Sequence, residues 1–442
     1  MSNLIDPTLQ KVFKQDKQNL EETQVPIVTV SASYREDVKG MFGYPEDETI
    51  QDIVFSRAHY SMAAGVATQA WGKEIDHSKA WVVDPTNYVS HKNWGSIELT
   101  EDIGKLLARQ PLLKKLKDIV DRFGRSKLPI LASITPPLLH LTENLTRPVL
   151  SFHIASGNIL AEQGKTIVQM ITDPHVRDEY LNNAHRKNFY LLVFDDKTKT
   201  EVLEKAAILE KKIDPQRVIV TGPPVDPRIV SARKSKKPWR SGPLNLLLTT
   251  GGLGTNKPEL KTILKQLLPE LRKHPSPYNL LVYAGTHGDI YEMVLELAQE
   301  EHVHVAGITA SKEKLRVIHH PQIVDANEMI IKYGFPWADG FISKPSGDMA
   351  YDAVTSGSFL LTLAEWGEWE HNVRETFEQI GAARKAKVDH IVPQLESLTE
   401  AAGKSQSWVE QAMQDALSID KLYLEGSKNI LAAYKKIASK LT

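Results

Sequence analysis

The sequence predicts an α/β protein with two doubly wound domains, and three observations carry this prediction. The chain has 442 residues, which is more than one hydrophobic core normally serves and suits two domains of about 150–250 residues each. Short continuous apolar runs, typical of buried parallel strands, alternate with stretches of helical periodicity. This alternation stops at a basic stretch in the middle of the chain and then resumes, so each half has its own strands and helices.

The first half, residues 1–228, is predicted to form an N-terminal Rossmann-like domain. Its apolar runs are predicted to be strands at residues 26–30, 52–55, 80–83, 129–132, 149–152, 166–171, 189–194 and 217–220. Helical patterns lie between several of these runs, at residues 61–71, 111–123 and 199–212. Such an alternation indicates a parallel sheet that is covered by helices on both faces.

The second half begins after a basic stretch. Residues 229–242 are rich in lysine and arginine and poor in apolar side chains, which is typical of a solvated linker, and contact with phosphate groups is the alternative. A second domain over residues 243–387 is predicted from strands at 244–248, 279–283, 302–305, 322–324, 340–342 and 359–363 and a helix at 258–273. Residues 388–442 are predicted to form C-terminal helices, including 407–417 and 428–441.

Composition and charge exclude several classes of protein. The formal net charge is −1, whereas a dedicated nucleic-acid-binding protein is strongly basic, so no nucleic-acid partner is expected. There is no cysteine, which excludes disulfide bonds, thiolate metal sites and a cysteine nucleophile. The histidines lack the spacing of a metal site, so no metal is expected. No apolar run approaches the ~20 residues that span a bilayer, and the expected location is the cytoplasm.

One segment points to a membrane surface. Residues 111–127 place leucine, isoleucine, valine and phenylalanine at helical spacing and surround them with lysine and arginine. A basic amphipathic helix of this kind can lie in the interface of an anionic membrane. The same apolar stripe can instead pack on the sheet of its own domain. The sequence leaves both alternatives open, and with them a peripheral position on the inner face of the membrane.

The first motif that can carry chemistry is a glycine-rich loop in the second domain. Thr250, Gly251 and Gly252 follow the strand at residues 244–248 and precede a helix. Glycine lets the backbone approach a ligand closely, and the start of a helix presents free N–H groups to phosphate. A tight turn without a ligand is the alternative.

The second motif follows the strand at residues 340–342. Ser346 and Gly347 place small residues at the start of a helix, which suits an anion. Asp352 lies further along the same helix, where its carboxylate could accept hydrogen bonds from both hydroxyls of a ribose. The alternative is that this carboxylate only complements the helix dipole.

The third motif spans residues 365–372, after the strand at 359–363. It combines carboxylates such as Glu370 with two tryptophans and the amide of Asn372. Open α/β sheets bind ligands at the carboxyl ends of their strands, and aromatic faces with carboxylates suit the C–H faces and hydroxyls of a sugar. The alternative is a loop that covers the core.

The first domain offers one candidate base, His59. It lies at the start of a predicted helix, directly after a strand. The positive end of a helix dipole favours the neutral imidazole, which is the form that accepts a proton. A structural histidine is the alternative. Arg57 in the same loop, and Asp173 and His175 after a later strand, are candidates for lining a cleft, with helix capping as the alternative for the last two.

Taken in order, these motifs resemble those of the family 28 type glycosyltransferases. That family includes monogalactosyldiacylglycerol synthase, processive diacylglycerol glucosyltransferases and the N-acetylglucosaminyltransferase that makes lipid II. The likeness covers about residues 52–386. The segments that carry it are 56–59, similar to a loop ending in Gly-His; 172–175, similar to Thr-Asp-Phe-His; 221–228, similar to Thr-Gly-Ile-Pro-Val-Asp; 250–252, similar to a glycine loop; and 344–353, similar to Lys-Pro-Gly-Gly…Glu-Ala. Arg57 and Ala58 stand where the family has glycines, and Asp352 stands where it has glutamate.

The resemblance implies a GT-B fold, with two Rossmann-like domains that face a cleft. It implies an inverting, metal-independent transferase without a cofactor, which moves a hexose or N-acetylhexosamine from a nucleotide-diphosphate sugar, with UDP as the expected nucleotide. His59 would remove the proton of an acceptor hydroxyl, and a membrane lipid is one candidate acceptor. The residues implied for donor binding are Thr250, Gly251, Gly252, Ser346, Gly347, Asp352, Glu370 and Asn372. A nucleotide-sugar epimerase of the same fold and a GT-B-like binding protein without catalysis are the alternatives.

Overall fold

The computed structural model describes residues 10–33, 52–89, 129–401, 403 and 405–441. The chain divides into two units: unit 1 comprises Met1–Pro227 and Lys421–Thr442, and unit 2 comprises Arg228–Asp420. Each unit has its own sheet and its own hydrophobic core. The basic amphipathic segment predicted at residues 111–127 lies outside the described residues.

Unit 1 contains a parallel sheet of six strands in the order β4-β1-β5-β6-β7-β8. Two further short strands, β2 and β3, form a separate antiparallel pair. The strands of unit 1 are β1 Val25–Val28, β2 Ala32–Ser33, β3 Ile53–Val54, β4 Ala80–Val83, β5 Val149–Ser151, β6 Ile167–Met170, β7 Phe189–Val193 and β8 Val218–Val220. The helices that precede, connect and follow them are α1 Gln10–Glu22, α2 Arg57–Trp71, α3 Pro129–Thr142, α4 Ile154–Glu162 and α5 Asp196–Ile208.

Unit 2 contains a second parallel sheet of six strands, in the order β11-β10-β9-β12-β13-β14. Its strands are β9 Leu244–Thr249, β10 Tyr278–Gly285, β11 Leu315–His319, β12 Gly340–Ser343, β13 Phe359–Thr362 and β14 Ala383–Lys385. Its helices are α6 Pro227–Ala232, which begins at the unit boundary, α7 Lys257–Leu271, α8 Gly288–Glu300, α9 Ile323–Met329, α10 Met349–Thr355, α11 Glu368–Ile380, α12 Ile391–Thr399 and α13 Trp408–Leu417. Two Rossmann-like sheets with helices around them confirm the predicted α/β fold class.

The last two helices, α14 Lys421–Leu424 and α15 Gly426–Ala438, return to unit 1. They pack on the loop after β8, where a Cβ at Gly222 would lie 2.0 Å from the carbonyl oxygen of Leu422. Ser427 donates to the carbonyl of Val225 at 2.7 Å, and Asn429 donates to that of Thr221 at 3.0 Å. The C-terminal helix therefore packs on the segment 221–228, which the resemblance identifies as a motif.

One predicted strand of unit 1 is wrong, because residues 129–132 begin helix α3. A short apolar run cannot be told from a buried helical segment by its hydrophobicity alone. The spacing of the buried Ile134, Leu138 and Leu141 shows the helical face. Pro136 and Pro137 inside the helix concealed this periodicity, because proline normally ends helices.

Three other predicted strands also require correction. Residues 52–55 contribute only the two-residue β3, which pairs with β2 outside the parallel sheet. Residues 302–305 form a turn after α8, where His302 has a positive φ of 54°. Residues 322–324 enter helix α9 instead of a strand. The strand of that region is β11, which the sequence did not reveal because Arg316 interrupts its apolar run, although that side chain is buried.

The basic stretch 229–242 packs on unit 2. Arg233 donates to the carbonyl oxygens of Thr355, at 3.3 Å, and Leu417. Lys236 donates to the carbonyl of Ala338 and to the hydroxyl of Ser358. These hydrogen bonds hold the side chains of Arg233 and Lys236 against the backbone of unit 2.

We expect the stability of the protein to depend on pH through Lys236. Burial lowers the pKa of Lys236 to about 7, against the opposing attraction of Asp339, whereas an unfolded lysine has a pKa of about 10.4. Between these values the unfolded state binds more protons, so the contribution of Lys236 to stability rises with pH and is lost as the pH falls towards 7. The stability of wild type minus that of Lys236→Met should therefore increase across this window. Urea unfolding at several pH values measures it, with the exposed Lys237→Met as control, and a constant difference would contradict it.

Candidate functional site

The first candidate site lies at the middle of the unit 2 sheet. Strand β9 has β10 on one side and β12 on the other, so the connections that leave β9 and β12 run in opposite directions. Open α/β sheets bind ligands in the crevice that forms at such a switch point, at the carboxyl ends of the strands. The two strand ends are joined there by a 2.6 Å hydrogen bond between the hydroxyls of Thr249 and Ser343. Both donor motifs predicted from the sequence begin at this point.

The glycine loop after β9 is fixed on two sides. A Cβ at Gly251 would lie 2.7 Å from Cδ of Lys344 and 2.8 Å from the hydroxyl of Thr255, so only glycine fits without a shift. Nε2 of His287 lies 3.0 Å from the carbonyl oxygen of Gly252. Since a carbonyl only accepts, His287 donates this hydrogen bond. The loop is therefore held in one place before any ligand arrives.

Lys344 belongs to a buried ion pair at the same edge. Its ammonium contacts the carboxylate of Glu370, and the two side chains are 10% and 0% exposed. The other oxygen of Glu370 accepts a hydrogen bond of 2.5 Å from the backbone N–H of Trp366. The ammonium also lies 5.5 Å from the centre of the Trp366 ring. Glu370 thus ties the loop after β13 to the loop after β12, and its full burial places it behind the surface of the site.

Ser346, Gly347 and Asp352 follow β12, as predicted. The Ser346 hydroxyl donates to Asp348 at 2.6 Å and accepts from the backbone N–H of Met349 at 3.2 Å. This arrangement caps the first turn of α10. Asp352 is on that helix and is 5% exposed. The structure therefore brings the glycine loop, Ser346 and Asp352 to neighbouring strand ends of one sheet.

Asn372 lies on α11 beside a charged cluster. Arg374, 7% exposed, forms ion pairs with Glu365 and Glu378. His371 contacts Glu365 at 3.3 Å. Burial raises the pKa of Glu365, but the hydrogen bond and charge of Arg374 outweigh it, so this pKa lies below its ordinary value. The ion pair of Arg374 with Glu365 joins the loop before α11 to the helix that carries Asn372.

The second candidate site lies at the switch point of unit 1. Strand β1 has β4 on one side and β5 on the other, so the loops after β1 and β5 border the crevice. His59 is in the first turn of α2, where Ser56 caps the helix by accepting from the His59 N–H at 3.3 Å. Its Nδ1 lies 3.3 Å from the carbonyl oxygen of Val30, two residues beyond the end of β1. The ring of His153, directly before α4, is 5.1 Å away between ring centres.

The peptide group between Val30 and Ser31, whose carbonyl oxygen contacts His59, is held through its N–H by a buried carboxylate. Asp84 follows β4 and accepts hydrogen bonds from the N–H of Ser31 at 2.7 Å and of Ala32 at 3.1 Å. It also accepts from the hydroxyls of Ser31, at 2.8 Å, and Thr86, at 2.6 Å. Burial raises the pKa of Asp84, and these hydrogen bonds oppose the rise. The loop after β1 is thereby fixed next to Val30.

The remaining predicted residues of unit 1 have other partners. Arg57 is the first residue of α2 and is 6% exposed, so its guanidinium is largely withdrawn from solvent. Asp173 forms an ion pair with Arg177 at 3.1 Å. His175 contacts Glu201 of α5 at 3.4 Å. The structure places Asp173 and His175 after β6, one strand beyond the switch point, where each contacts a charged residue of its own neighbourhood, Arg177 or Glu201.

Several residues at these sites were missed by the sequence analysis. His153, His287 and Asp84 each stand directly after a strand, or one residue beyond it, and before a helical turn, whereas His59 lies in the first turn of the helix that follows a strand. Their position directly after predicted strands was the sequence signal that could have identified these side chains. Lys344 and Trp366 were inside the recognised motifs, but nothing in their spacing shows that both contact Glu370.

In the described part of the chain, no group of three or more metal-ligating side chains comes together. Across the same residues, no helix is both long and apolar enough to cross a membrane.

Comparison with protein-family models gives no match, and comparison with curated protein sequences gives none either. Among solved structures, the chain is similar to UDP-GlcNAc 2-epimerase from Neisseria meningitidis bound to UDP-GlcNAc, with a TM-score of 0.52 and 13% identity over 93% of this chain and 99% of that one. It is similar to a Listeria monocytogenes protein described as a candidate UDP-N-acetylglucosamine 2-epimerase, with a TM-score of 0.53 and 12% identity over 93% and 95%. It is also similar to S. aureus MnaA with UDP, with a TM-score of 0.51 and 13% identity over 87% and 96%.

These likenesses span nearly the whole of both chains at low sequence identity, and they establish the fold. The neighbours are UDP-sugar enzymes of the GT-B fold, and this chain has that fold.

Proposed function

We propose that the chain is an inverting, metal-independent glycosyltransferase that moves a hexose or N-acetylhexosamine from a UDP-sugar to an acceptor hydroxyl. Within the GT-B fold, we place it with the family 28 type enzymes on its ordered motifs. The observation that carries the proposal is the close approach of the Gly251 loop to Lys344 at the unit 2 switch point, with Ser346 and Asp352 on the neighbouring connection. This is the arrangement expected for a nucleoside diphosphate at the carboxyl edge of a parallel sheet.

In this proposal, the diphosphate binds the backbone of Thr250, Gly251, Gly252 and Gly347 and the hydroxyl of Ser346. Asp352 accepts from the ribose hydroxyls, and Asn372 contacts the sugar. The full burial of Glu370 changes the role that the resemblance implied for it. Glu370 acts through Lys344, whose carbon chain it holds against Gly251. The preorganised loop then stabilises the leaving diphosphate without reorganisation during the reaction.

On the acceptor side, His59 removes the proton of the attacking hydroxyl. The contact of its Nδ1 with the carbonyl oxygen of Val30 orients the ring, and the neutral imidazole is the form that a general base needs. Arg57, Asp173 and His175 remain candidates for contacts to the acceptor or donor. A membrane lipid is the acceptor that the resembled family suggests, which would place the protein at the inner face of the membrane.

The first test is donor binding by Asp352→Ala. A ribose hydrogen bond to a carboxylate contributes about 1.5–3 kcal/mol, so the affinity for UDP should fall by about 10- to 100-fold. Calorimetric titration with UDP measures this, with Asp325→Ala, on α9 of the same unit, as the control. Equal UDP affinity in Asp352→Ala and wild type would remove Asp352 from the donor site.

The second candidate function is a nucleotide-sugar 2-epimerase. It is favoured by two of the three neighbours above, which are named as such enzymes. An epimerase needs no acceptor, so incubation with UDP-GlcNAc alone separates the two functions. Formation of the C2 epimer without an acceptor would favour the epimerase over the transferase. Tight binding of UDP-sugars with neither reaction would indicate a binding protein without catalysis.

A further inference from the structure

Unit 1 contains a buried carboxyl group, that of Asp84, for which the proposed function has no role. Asp84 directly follows β4 and is 4% exposed. Its hydrogen-bond partners in the described part of the chain are Ser31, Ala32 and Thr86, none of which is charged. A buried carboxylate is normally paired with a cation, and otherwise it takes up a proton. Burial accordingly raises the pKa of Asp84, although its hydrogen bonds oppose the rise.

The hydrogen atoms around Asp84 also require a neutral acid. The hydroxyl oxygen of Thr86 lies 2.6 Å from the carbonyl oxygen of Ala32 and 2.6 Å from Oδ1 of Asp84. A hydroxyl has one hydrogen, and a carbonyl only accepts, so Thr86 donates to Ala32. The second contact has the length of a short O–H···O hydrogen bond, and its hydrogen must then come from Asp84. Oδ2 remains the acceptor for the N–H groups of Ser31 and Ala32 and for the Ser31 hydroxyl.

The loop that Asp84 binds holds the start of α2. The carbonyl oxygen of Ser31 accepts from the backbone N–H of Phe55 at 2.8 Å and from that of Ser56 at 3.0 Å. Ser56 caps α2. The carbonyl oxygen of Val30 contacts Nδ1 of His59. The cap of α2 and the imidazole in its first turn are therefore both placed by a loop that is itself fixed by one carboxyl group.

We propose that Asp84 is a positioning residue that acts as a neutral carboxylic acid. Its Oδ1–H donates to the hydroxyl of Thr86, and its Oδ2 holds the loop 30–32. The loop in turn holds Ser56 and His59 at the start of α2. Asp84 keeps its proton throughout and does not touch the substrate. The part of this inference that concerns His59 rests on the proposed function.

The proton on Asp84 can be tested without any substrate. The infrared spectrum of Asp84→Asn is subtracted from that of the full-length wild type near neutral pH. We expect the difference to contain the C=O stretch of a neutral carboxylic acid. The control Asp196→Asn removes an exposed carboxylate at the start of α5 and should yield carboxylate bands instead. Carboxylate bands in the Asp84 difference, without the neutral-acid band, would overturn the proposal.

The positioning role is tested at Thr86, the acceptor of the proposed proton. Thr86→Val keeps the shape of the side chain but removes both hydroxyl bonds, and a displaced base should lower kcat by about 10–10²-fold. UDP affinity should not change, because the proposed donor residues belong to unit 2. Thr86→Ser keeps the hydroxyl and should restore kcat. Thr142→Val, another buried threonine of unit 1, is the control and should leave kcat unchanged. Equal kcat in Thr86→Val and wild type, or equal losses in Thr86→Val and Thr86→Ser, would contradict the positioning role.

Asp84→Asn separates the proton from the charge. Its amide oxygen can take the place of Oδ2 towards Ser31 and Ala32, and its N–H can take the place of the acid O–H towards Thr86. We therefore expect this variant to keep most of the kcat of wild type, and a kcat as low as that of Thr86→Val would overturn the neutral acid. If wild type transfers no sugar at all, the proposed function fails, while the infrared difference still confirms or overturns the proton on Asp84.

Discussion

Replacing His59 by alanine is expected to lower the turnover of a nucleotide sugar by about 10²–10⁴-fold, which is the usual contribution of a general base. The helix that carries His59 is capped by the side chain of Ser56, which does not depend on the imidazole. We therefore expect the variant to stay folded. The proposed donor residues all belong to unit 2, so UDP binding should be unchanged. A loss of rate with unchanged UDP affinity is the pattern of a residue that acts in the chemical step.

An exposed histidine of the same unit, His77, provides the matched control. His77→Ala removes an imidazole that contacts Trp81, away from the strand ends, and should leave turnover unchanged. Near-normal turnover in His59→Ala would exclude His59 as the base.

The central strands of both sheets could be predicted because they are buried on both faces. Runs such as Leu244–Thr249 and Phe359–Thr362 are apolar without alternation, and the structure buries almost every residue in them. The strand β11 was missed because a buried arginine interrupts it. Arg316 can be buried there because its guanidinium stacks on Trp337, 4.4 Å from the ring centre. Trp337 is distant in sequence, so the hydrophobicity of the residues around Arg316 does not reveal that this partner makes its burial possible.

The sequence located the loops of the site but not their contacts. Strand order decides which loops lie together, and the orders β10-β9-β12 and β4-β1-β5 cannot be obtained from spacing along the chain. The close approach of Gly251 to Lys344 and the meeting of His59 with His153 depend on those orders. Segment 221–228 has the composition of a binding loop, but the C-terminal helix packs on it. Its composition did not predict this contact.

The buried pair of Lys344 and Glu370 gives the prediction with the largest expected effect on stability. We expect Glu370→Gln to lower the free energy of unfolding by about 3–5 kcal/mol, because removing one partner leaves the other charge buried and unpaired. The side chain of Glu370 is fully buried and that of Lys344 nearly so, so water cannot replace the lost carboxylate. Glu368→Gln, an exposed change two residues earlier, is the control and should alter stability by less than about 0.5 kcal/mol. Urea unfolding measures both.

The double variant Lys344→Met with Glu370→Gln separates the ion pair from the shape of the site. With both charges removed, the desolvation cost of the unpaired ammonium disappears, and we expect most of the lost stability to return, since replacing a whole buried pair is often close to neutral. Methionine keeps an unbranched chain of similar length against Gly251, so the glycine loop should stay in place and UDP affinity should recover together with stability. If stability returns but UDP affinity does not, the ammonium of Lys344 itself contacts the diphosphate. If the single variant unfolds at the same urea concentration as wild type, the carboxylate of Glu370 does not hold Lys344, and the loops after β12 and β13 are joined by their backbone and aromatic contacts instead.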